Sequence, residues 1–175
     1  MKKLMFPLVT FLALMSCSVA HSQITSYKNF MIEDREVVYR LVNDTSVSVD
    51  VYVQFLETLS TVKINQVYDD YIIAEFNNLP VDFRRYGYKW GNTPILVQTY
   101  DTSGKLRIDF KNDKYRITLQ GIKLVNEKET EDLSFYALRN KKDSFRPAYA
   151  SHDILGIYDR FFADYFKIKS VNNNW

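Results

Sequence analysis

The sequence predicts an α+β fold, in which two helices cover one face of an antiparallel sheet of about five to six strands, in the order β-α-β-β-β-β-β-α. In the middle of the chain, apolar and polar residues alternate along stretches joined by short turns. Short turns make neighbouring strands antiparallel, and the alternation gives the sheet one apolar face. On either side of this region, apolar residues recur at helical spacing. An apolar sheet face needs a cover, and two amphipathic helices supply it.

The stretch Ile95–Leu124 is predicted to form three strands joined by two tight turns. The first strand is assigned to Ile95–Tyr100, which is rich in strand-forming residues. The turns are assigned to Asp101–Gly104 and Lys111–Lys114, whose residue types favour turns. Gly121 interrupts the alternation, which predicts a β-bulge at that position. The second and third strands are Leu106–Phe110 and Tyr115–Leu119.

The first half of the chain supplies a strand, a helix and a hairpin. Glu36–Val42 is the strand. Ser48–Val62 is the helix, because apolar residues recur along it at spacings of three and four. Asn65–Tyr68 and Tyr71–Phe76 are the strands of the hairpin, with Asp69–Asp70 at its turn. The predicted apolar stripe of the helix consists of Val51, Phe55, Leu59 and Val62, and Tyr52 and Leu56 widen it.

The last fifty residues contain a long charged connection and a helix. The connection at 125–150 is longer than a compact domain usually carries, so part of it is expected to pack as a short element. Ser151 is predicted to cap the helix, with Asp153 near its positive end. Ile154, Tyr158, Phe161, Phe162 and Tyr165 lie on one face of the helix. The expected core joins Ile108, Phe110, Ile117 and Leu119 of the sheet to Phe55, Leu59, Phe162 and Tyr165 of the helices.

Residues 1–22 have the pattern of a signal peptide. Lys2 and Lys3 precede an apolar run that is too short to span a bilayer comfortably. Two kinds of processing fit the residues that follow. Small residues before Gln23 favour cleavage there, whereas the residues up to Cys17 resemble a lipoprotein box, in which Cys17 is acylated. Either alternative predicts export to the periplasm or cell envelope of a Gram-negative bacterium.

The remainder of the chain, residues 23–175, is predicted to be a single domain. The whole chain has 23 basic and 21 acidic residues, and the leader contains two of the basic residues and no acidic one. The net charge of the remainder is therefore zero, so we expect no nucleic-acid partner. Contact with a membrane is expected only through a lipid on Cys17.

The sequence resembles a bacterial exported domain of unknown function with a TATA-binding-protein-like fold. The resemblance rests on the helix Ser48–Val62, on the hairpin Val67–Ala74, and on Phe110–Leu119 followed by Gly121–Ile122. It covers roughly Glu36–Leu124 and implies a fold, with no activity and no site residues to transfer. Sharing a fold with a DNA-binding protein does not imply DNA binding.

No cofactor or metal is expected, because the residue types that bind them are scarce. The chain has two histidines, His21 and His152, and its one cysteine is Cys17. A zinc site needs three or four ligands. The string Ser151–Asp153 contains Ser, His and Asp, but neighbours on a helix point in different directions, so it is interpreted as a cap. The five glycines form no phosphate-binding motif.

Recognition potential is concentrated in the loop Arg84–Gly91. Arginine and large aromatic residues anchor many interfaces. If the loop is extended, its aromatic side chains lie on one side and its cations on the other. The alternative is a lid whose aromatic residues bury themselves on the sheet. The candidate binding residues are Arg84, Arg85, Tyr86, Tyr88, Lys89 and Trp90.

The polar face of the sheet is a second, weaker candidate. Its cations make it locally basic, but Asp109 lies among them, so we interpret it as a solvated face. The cations are Lys105, Arg107, Lys114 and Arg116.

Two functions remain open. The first is a non-enzymatic binding or assembly module of the bacterial cell envelope, with an envelope protein or a glycan as its partner. The alternative is a small secreted hydrolase that uses carboxylate and tyrosine chemistry. A pocket that joins two acids of strongly shifted pKa favours the enzyme. An exposed aromatic patch without such a pocket favours the binding module.

Overall fold

In the computed structural model, which describes residues 24–140, 142–148 and 153–168, eight antiparallel strands form one sheet. Within these residues the sheet order is β1-β2-β3-β7-β6-β5-β4, and β8 pairs with β7. The predicted leader at 1–22 and the predicted helix cap Ser151 lie outside the described residues. The strands are β1 Ser26–Tyr27, β2 Phe30–Glu33, β3 Glu36–Asn43, β4 Val62–Val67, β5 Tyr71–Leu79, β6 Asp101–Lys111, β7 Lys114–Val125 and β8 Thr130–Asp132.

Two longer helices cover the same face of this sheet, and the α+β prediction is confirmed. The helices are α1 Val49–Glu57, α2 Ile95–Thr99, α3 Leu133–Ala137 and α4 Ile154–Phe166. Tyr52 of α1 packs edge-on against Tyr115 of β7, and its hydroxyl donates a hydrogen bond to the carbonyl of Phe166 in α4. Phe162 of α4 packs on Tyr39 and Phe76 of the sheet. The two helices therefore share one aromatic core with the sheet.

Helix α1 is shorter than predicted, and its buried face is rotated. The Ser48 hydroxyl accepts a hydrogen bond from the Val51 amide, which caps the start as expected. Tyr52 and Leu56 are fully buried, whereas Val51, placed in the predicted stripe, is 49% exposed. The helix ends at Glu57 because Thr58 bonds back to the Phe55 carbonyl in a tight 3₁₀-type turn. Val62 then begins β4 instead of continuing the helix.

The predicted strand Ile95–Tyr100 and the predicted turn Asp101–Gly104 are wrong. Residues Ile95–Thr99 form the short helix α2, and β6 begins at Asp101. Thr102 pairs with Leu124 of β7 and its hydroxyl bonds the Leu79 carbonyl, so the segment is fixed from both sides. Pairing with two neighbouring strands outweighs the local turn preference of these residues.

The other turns and the bulge are confirmed. Asn112 and Asp113 have φ values of 50° and 60°, the conformation of a two-residue hairpin turn. The Tyr68 amide donates to the Tyr71 carbonyl across the predicted Asp69–Asp70 turn. Gly121 has a φ of +55°, and the register with β6 shifts beside it. This bulge returns the apolar alternation of β7 to the core side, so Ile122 and Leu124 are buried.

Additional strands at both ends of the chain enlarge the sheet beyond the predicted five to six. The segment Ser26–Ile32, which precedes the first predicted strand, contributes β1 and most of β2. Part of the charged connection at 125–150 forms β8 and α3, which are the short elements expected there. Strands β3 and β8 pair with the same edge of β7, β3 before the bulge and β8 after it.

Of the expected core residues, Ile108, Ile117 and Leu119 of the sheet and Phe162 of α4 are fully buried. Phe110 is only half-buried and packs against Tyr52. The other three residues expected in the core are half-buried and pack around its rim: Phe55, Leu59 and Tyr165.

Candidate functional site

The loop Arg84–Gly91 is folded into two short turns and is not extended. Phe83–Tyr86 and Trp90–Asn92 are 3₁₀ turns. The Asp82 carboxylate accepts a hydrogen bond from the Arg85 amide at the start of the first turn. Gly87, with a φ of +83°, ends that turn in the left-handed region that glycine adopts without steric cost. The condition under which the aromatic and cationic side chains of the loop would lie on opposite sides, an extended loop, is therefore not met.

The side chains of Arg85 and Tyr86 contact helix α4, although that of Arg85 remains 54% exposed. The Arg85 guanidinium lies 3.0 Å from the Asp164 carboxylate. The Tyr86 hydroxyl donates a hydrogen bond of 3.3 Å to the same carboxylate. Burial and the charge of Asp164 raise the pKa of Tyr86 to about 12. These contacts attach the first turn of the loop to the helix.

Tyr88 also turns inward, where it binds Asp153 at the start of α4. The Tyr88 hydroxyl donates to one Asp153 oxygen at 2.7 Å. Tyr27 donates to the other oxygen at 3.0 Å, and the Lys28 ammonium lies 3.4 Å from it. Burial opposes ionisation of Asp153, but these hydrogen bonds and the Lys28 charge outweigh it and lower the pKa of the carboxyl. We call Tyr27, Lys28, Tyr88 and Asp153 the Asp153 clasp.

The remaining candidates, Arg84, Lys89 and Trp90, face solvent. Trp90 is 53% exposed, with the Arg84 guanidinium 5.1 Å from the centre of its ring. The Phe83 ring supports it edge-on at 5.4 Å. The Gln98 amide of α2 donates to the Trp90 carbonyl at 2.9 Å. An exposed indole is thus held in a fixed position beside a cation.

Ile95 is a second exposed apolar side chain in the same segment of the chain. It is 75% exposed at the first position of α2, five residues after Trp90. The helix is linked to the loop through the Gln98 hydrogen bond, so the two side chains belong to one locally ordered segment. We call Arg84, Lys89, Trp90 and Ile95 the Trp90 surface.

Sequence reasoning found the loop but missed its partners. Asp153 and Asp164 fix the orientation of Tyr88 and Tyr86 from positions 65 and 78 residues away in the sequence. The sequence predicted that Asp153 lies at the start of the last helix, but nothing in the sequence paired it with a tyrosine. Nothing in the sequence pointed to Asp164 as a contact of the loop. Tyr86 and Tyr88 are half-buried, as the lid interpretation expects of aromatic residues, although their hydroxyls bond to Asp164 and Asp153. The recognition interpretation remains a prediction for all six candidate residues.

Two carboxyls of shifted pKa, those of Asp101 and Asp153, lie in different surroundings among the described residues. Asp101 lines an open groove of about 630 Å³ together with Glu127, and burial raises the pKa of Asp101. Asp153, whose pKa is lowered, has a different set of neighbours in the clasp. Among the described residues, no group of three or more potential metal ligands is present. No helix within the described ranges is long and apolar enough to cross a membrane.

No protein-family model matches the chain, and no curated protein matches it significantly. Two solved structures are similar to it. One is a DUF4468 family protein from Bacteroides ovatus, with 11% identity, a TM-score of 0.49, and coverage of 85% of this chain and 96% of that one. The other is a TBP-like protein from Parabacteroides distasonis, with 14% identity, a TM-score of 0.45, and coverage of 77% and 93%. These descriptions agree with the resemblance seen in the sequence, and the likeness concerns the fold alone.

Proposed function

We propose that this domain is a non-enzymatic binding module of the bacterial cell envelope, and that the Trp90 surface contacts its partner. The observation that carries the proposal is the exposed Trp90 ring beside the Arg84 guanidinium. Tryptophan and arginine supply much of the binding energy in protein interfaces. The two tyrosines of the same loop, Tyr86 and Tyr88, are half-buried, whereas Trp90 is 53% exposed.

The partner that fits this surface best is a protein. Trp90 and Ile95 project from the surface with 53% and 75% of their area exposed. A small-molecule site instead encloses most of its ligand in a concave pocket. The Arg84 guanidinium lies beside the Trp90 ring, and the exposed Lys89 precedes Trp90 in the chain, so cations are available for the polar rim of a protein interface. A glycan partner is the competing outcome of the experiment below.

The experiment is affinity capture from an envelope extract with the tagged protein. The variants are Trp90→Ala and Arg84→Ala. The matched control is Phe135→Ala, which removes another exposed aromatic side chain, 60% exposed on α3. We expect Trp90→Ala to reduce recovery of a specific protein partner about tenfold or more, as truncation of a central interface residue does. Phe135→Ala should leave recovery unchanged.

A thermal melt of each variant separates lost binding from lost folding. Trp90→Ala should lower the melting temperature by less than truncation of a buried aromatic residue does, because the side chain is 53% exposed. Equal recovery with wild type and Trp90→Ala refutes the proposal for this surface. Co-purification of a glycan that depends on Trp90 keeps the site but replaces the protein partner.

A further inference from the structure

The loop that carries Trp90 is attached to helix α4 through two carboxylates. One is Asp153, at the start of the helix, and the other is Asp164, in its last turn. The Tyr88 hydroxyl donates a hydrogen bond of 2.7 Å to Asp153, and the Tyr86 hydroxyl donates one of 3.3 Å to Asp164. Two tyrosines of the same loop therefore make the same kind of contact with the same helix.

Gly87 separates these two attachments. Its φ of +83° lies in the left-handed region, and the first turn of the loop ends there. Tyr86 belongs to the turn before the glycine, whereas Tyr88 follows it and precedes Trp90 by two residues. The contact with Asp153 is therefore the one on the Trp90 side of the glycine.

Trp90 lies between Tyr88 and a second fixed point on α2. The Gln98 side chain of α2 donates a hydrogen bond of 2.9 Å to the Trp90 carbonyl. The Thr93 amide donates to the Lys89 carbonyl at 3.0 Å and closes the second turn of the loop. If the contact between Tyr88 and Asp153 is lost, the segment is released at one of its two ends.

Gly156 makes room for the Asp153 carboxylate. A Cβ atom at Gly156 would lie 1.8 Å from Asp153 Oδ1 and 2.6 Å from Lys28 Nζ, so any other residue there would displace the carboxylate. Asp153 has a φ of 53°, in a region that Asp adopts more readily than most residues. Glycine is a poor helix former, and the carboxylate that it admits explains its place in the first turn of α4.

We infer that Asp153 is a positioning residue for the Trp90 surface. It acts through Tyr88, from a place that Gly156 leaves open. The inference rests on the proposed function only in taking the Trp90 surface as the contact with the partner. A surface that is ordered before binding loses less conformational entropy when the partner arrives. Asp153 supplies part of that order, whereas Asp164 orders the earlier half of the loop.

The test follows the fluorescence of Trp90 in the purified protein. The second tryptophan of the chain, Trp175, is replaced by phenylalanine in every sample, and excitation is at a wavelength that tyrosine does not absorb. Tyr88→Phe removes the hydroxyl that binds Asp153, which should raise the ratio of released to attached loop roughly tenfold or more. We expect a lower anisotropy of Trp90 and stronger quenching by acrylamide. Tyr86→Phe is the matched control and should change neither.

Gly156→Ala is a second test, because it leaves every residue of the Asp153 clasp in place. The added methyl group displaces the carboxylate, so Trp90 should become as mobile and as accessible to acrylamide as in Tyr88→Phe. Alanine favours the helix, so a weaker α4 does not explain such a change. Ala163→Gly, about two turns further along α4, weakens the helix and should lower the melting temperature without affecting the anisotropy of Trp90.

Unchanged anisotropy and quenching in Tyr88→Phe or in Gly156→Ala overturn the inference, and so does an equal change in Tyr86→Phe. Affinity capture from the envelope extract then tests the partner separately. Recovery should fall with Tyr88→Phe and Gly156→Ala and stay unchanged with Tyr86→Phe. If Trp90→Ala does not alter recovery, the proposed function fails, whereas the positioning of Trp90 by Asp153 stands on the fluorescence alone.

Discussion

At the scale of single residues, the contacts of Asp153 depend on the negative charge of its carboxylate. Its carboxylate accepts hydrogen bonds from Tyr27, Lys28 and Tyr88, so the pKa of Asp153 is lower in the folded protein than in the unfolded chain. A group with a lowered folded pKa stabilises the fold above its unfolded pKa. That stabilisation is lost as the pH falls through the folded value.

We therefore predict that the wild type exceeds Asp153→Asn in melting temperature near neutral pH, and that this excess shrinks below about pH 4. Asparagine tolerates the left-handed backbone that Asp153 adopts, with a φ of 53°, so the substitution mainly removes charge. Glu127→Gln, at an exposed position, is the control and should show no such trend. A difference between wild type and Asp153→Asn that stays constant down to pH 2 contradicts the prediction.

Residue composition predicted that the Arg84–Gly91 loop is important, but it did not predict which side chains point where. Tyr86, Tyr88 and Trp90 look equivalent in the sequence because they alternate in one short loop. Only the folded chain brings Asp164 and Asp153 next to the two tyrosines and leaves Trp90 beside Arg84. Long-range contacts of this kind have no local signal.

At the scale of elements, period-2 alternation was reliable where a strand has one buried face. Tyr115–Leu119 alternates and lies as predicted, and Gly121 marks the bulge. The strand predicted at Ile95–Tyr100 is wrong. Residues Ile95–Thr99 are of strand-forming types, but they form a short helix in which only Val97 is buried. The turn predicted at Asp101–Gly104 is wrong because this segment is the start of β6, where Gly104 packs close to Phe76 of β5.

Helix α4 gives the sharpest test of how the elements pack. Phe162 is fully buried and contacts Phe30, Tyr39 and Phe76 from three strands. We predict that Phe162→Ala lowers the free energy of unfolding by about 3–5 kcal/mol, the usual effect of truncating a buried phenylalanine. Phe135→Ala should change it by no more than about 0.5 kcal/mol, as surface substitutions do. Denaturant unfolding of both variants measures this, and equal effects contradict the packing described.

At the scale of the whole molecule, the fold class followed from the sequence because sheet alternation and helical stripes are properties of the entire chain. The strand count did not, because β1 contains two residues and β8 contains three. Such short strands are too brief to show alternation. They form where a neighbouring strand already offers unpaired backbone groups: β8 pairs with the end of β7 beyond the bulge.

The charge of the whole molecule depends on the predicted leader. With Lys2 and Lys3 the chain has a formal net charge of +2, and without the leader the basic and acidic residues balance. Without the leader, the protein has no net charge with which to attract a charged partner over a long range. We predict that protein isolated from the envelope of its host begins at Gln23, or at a lipid-modified Cys17. Intact-mass measurement distinguishes the two, and a mature chain that retains Lys2 and Lys3 contradicts both.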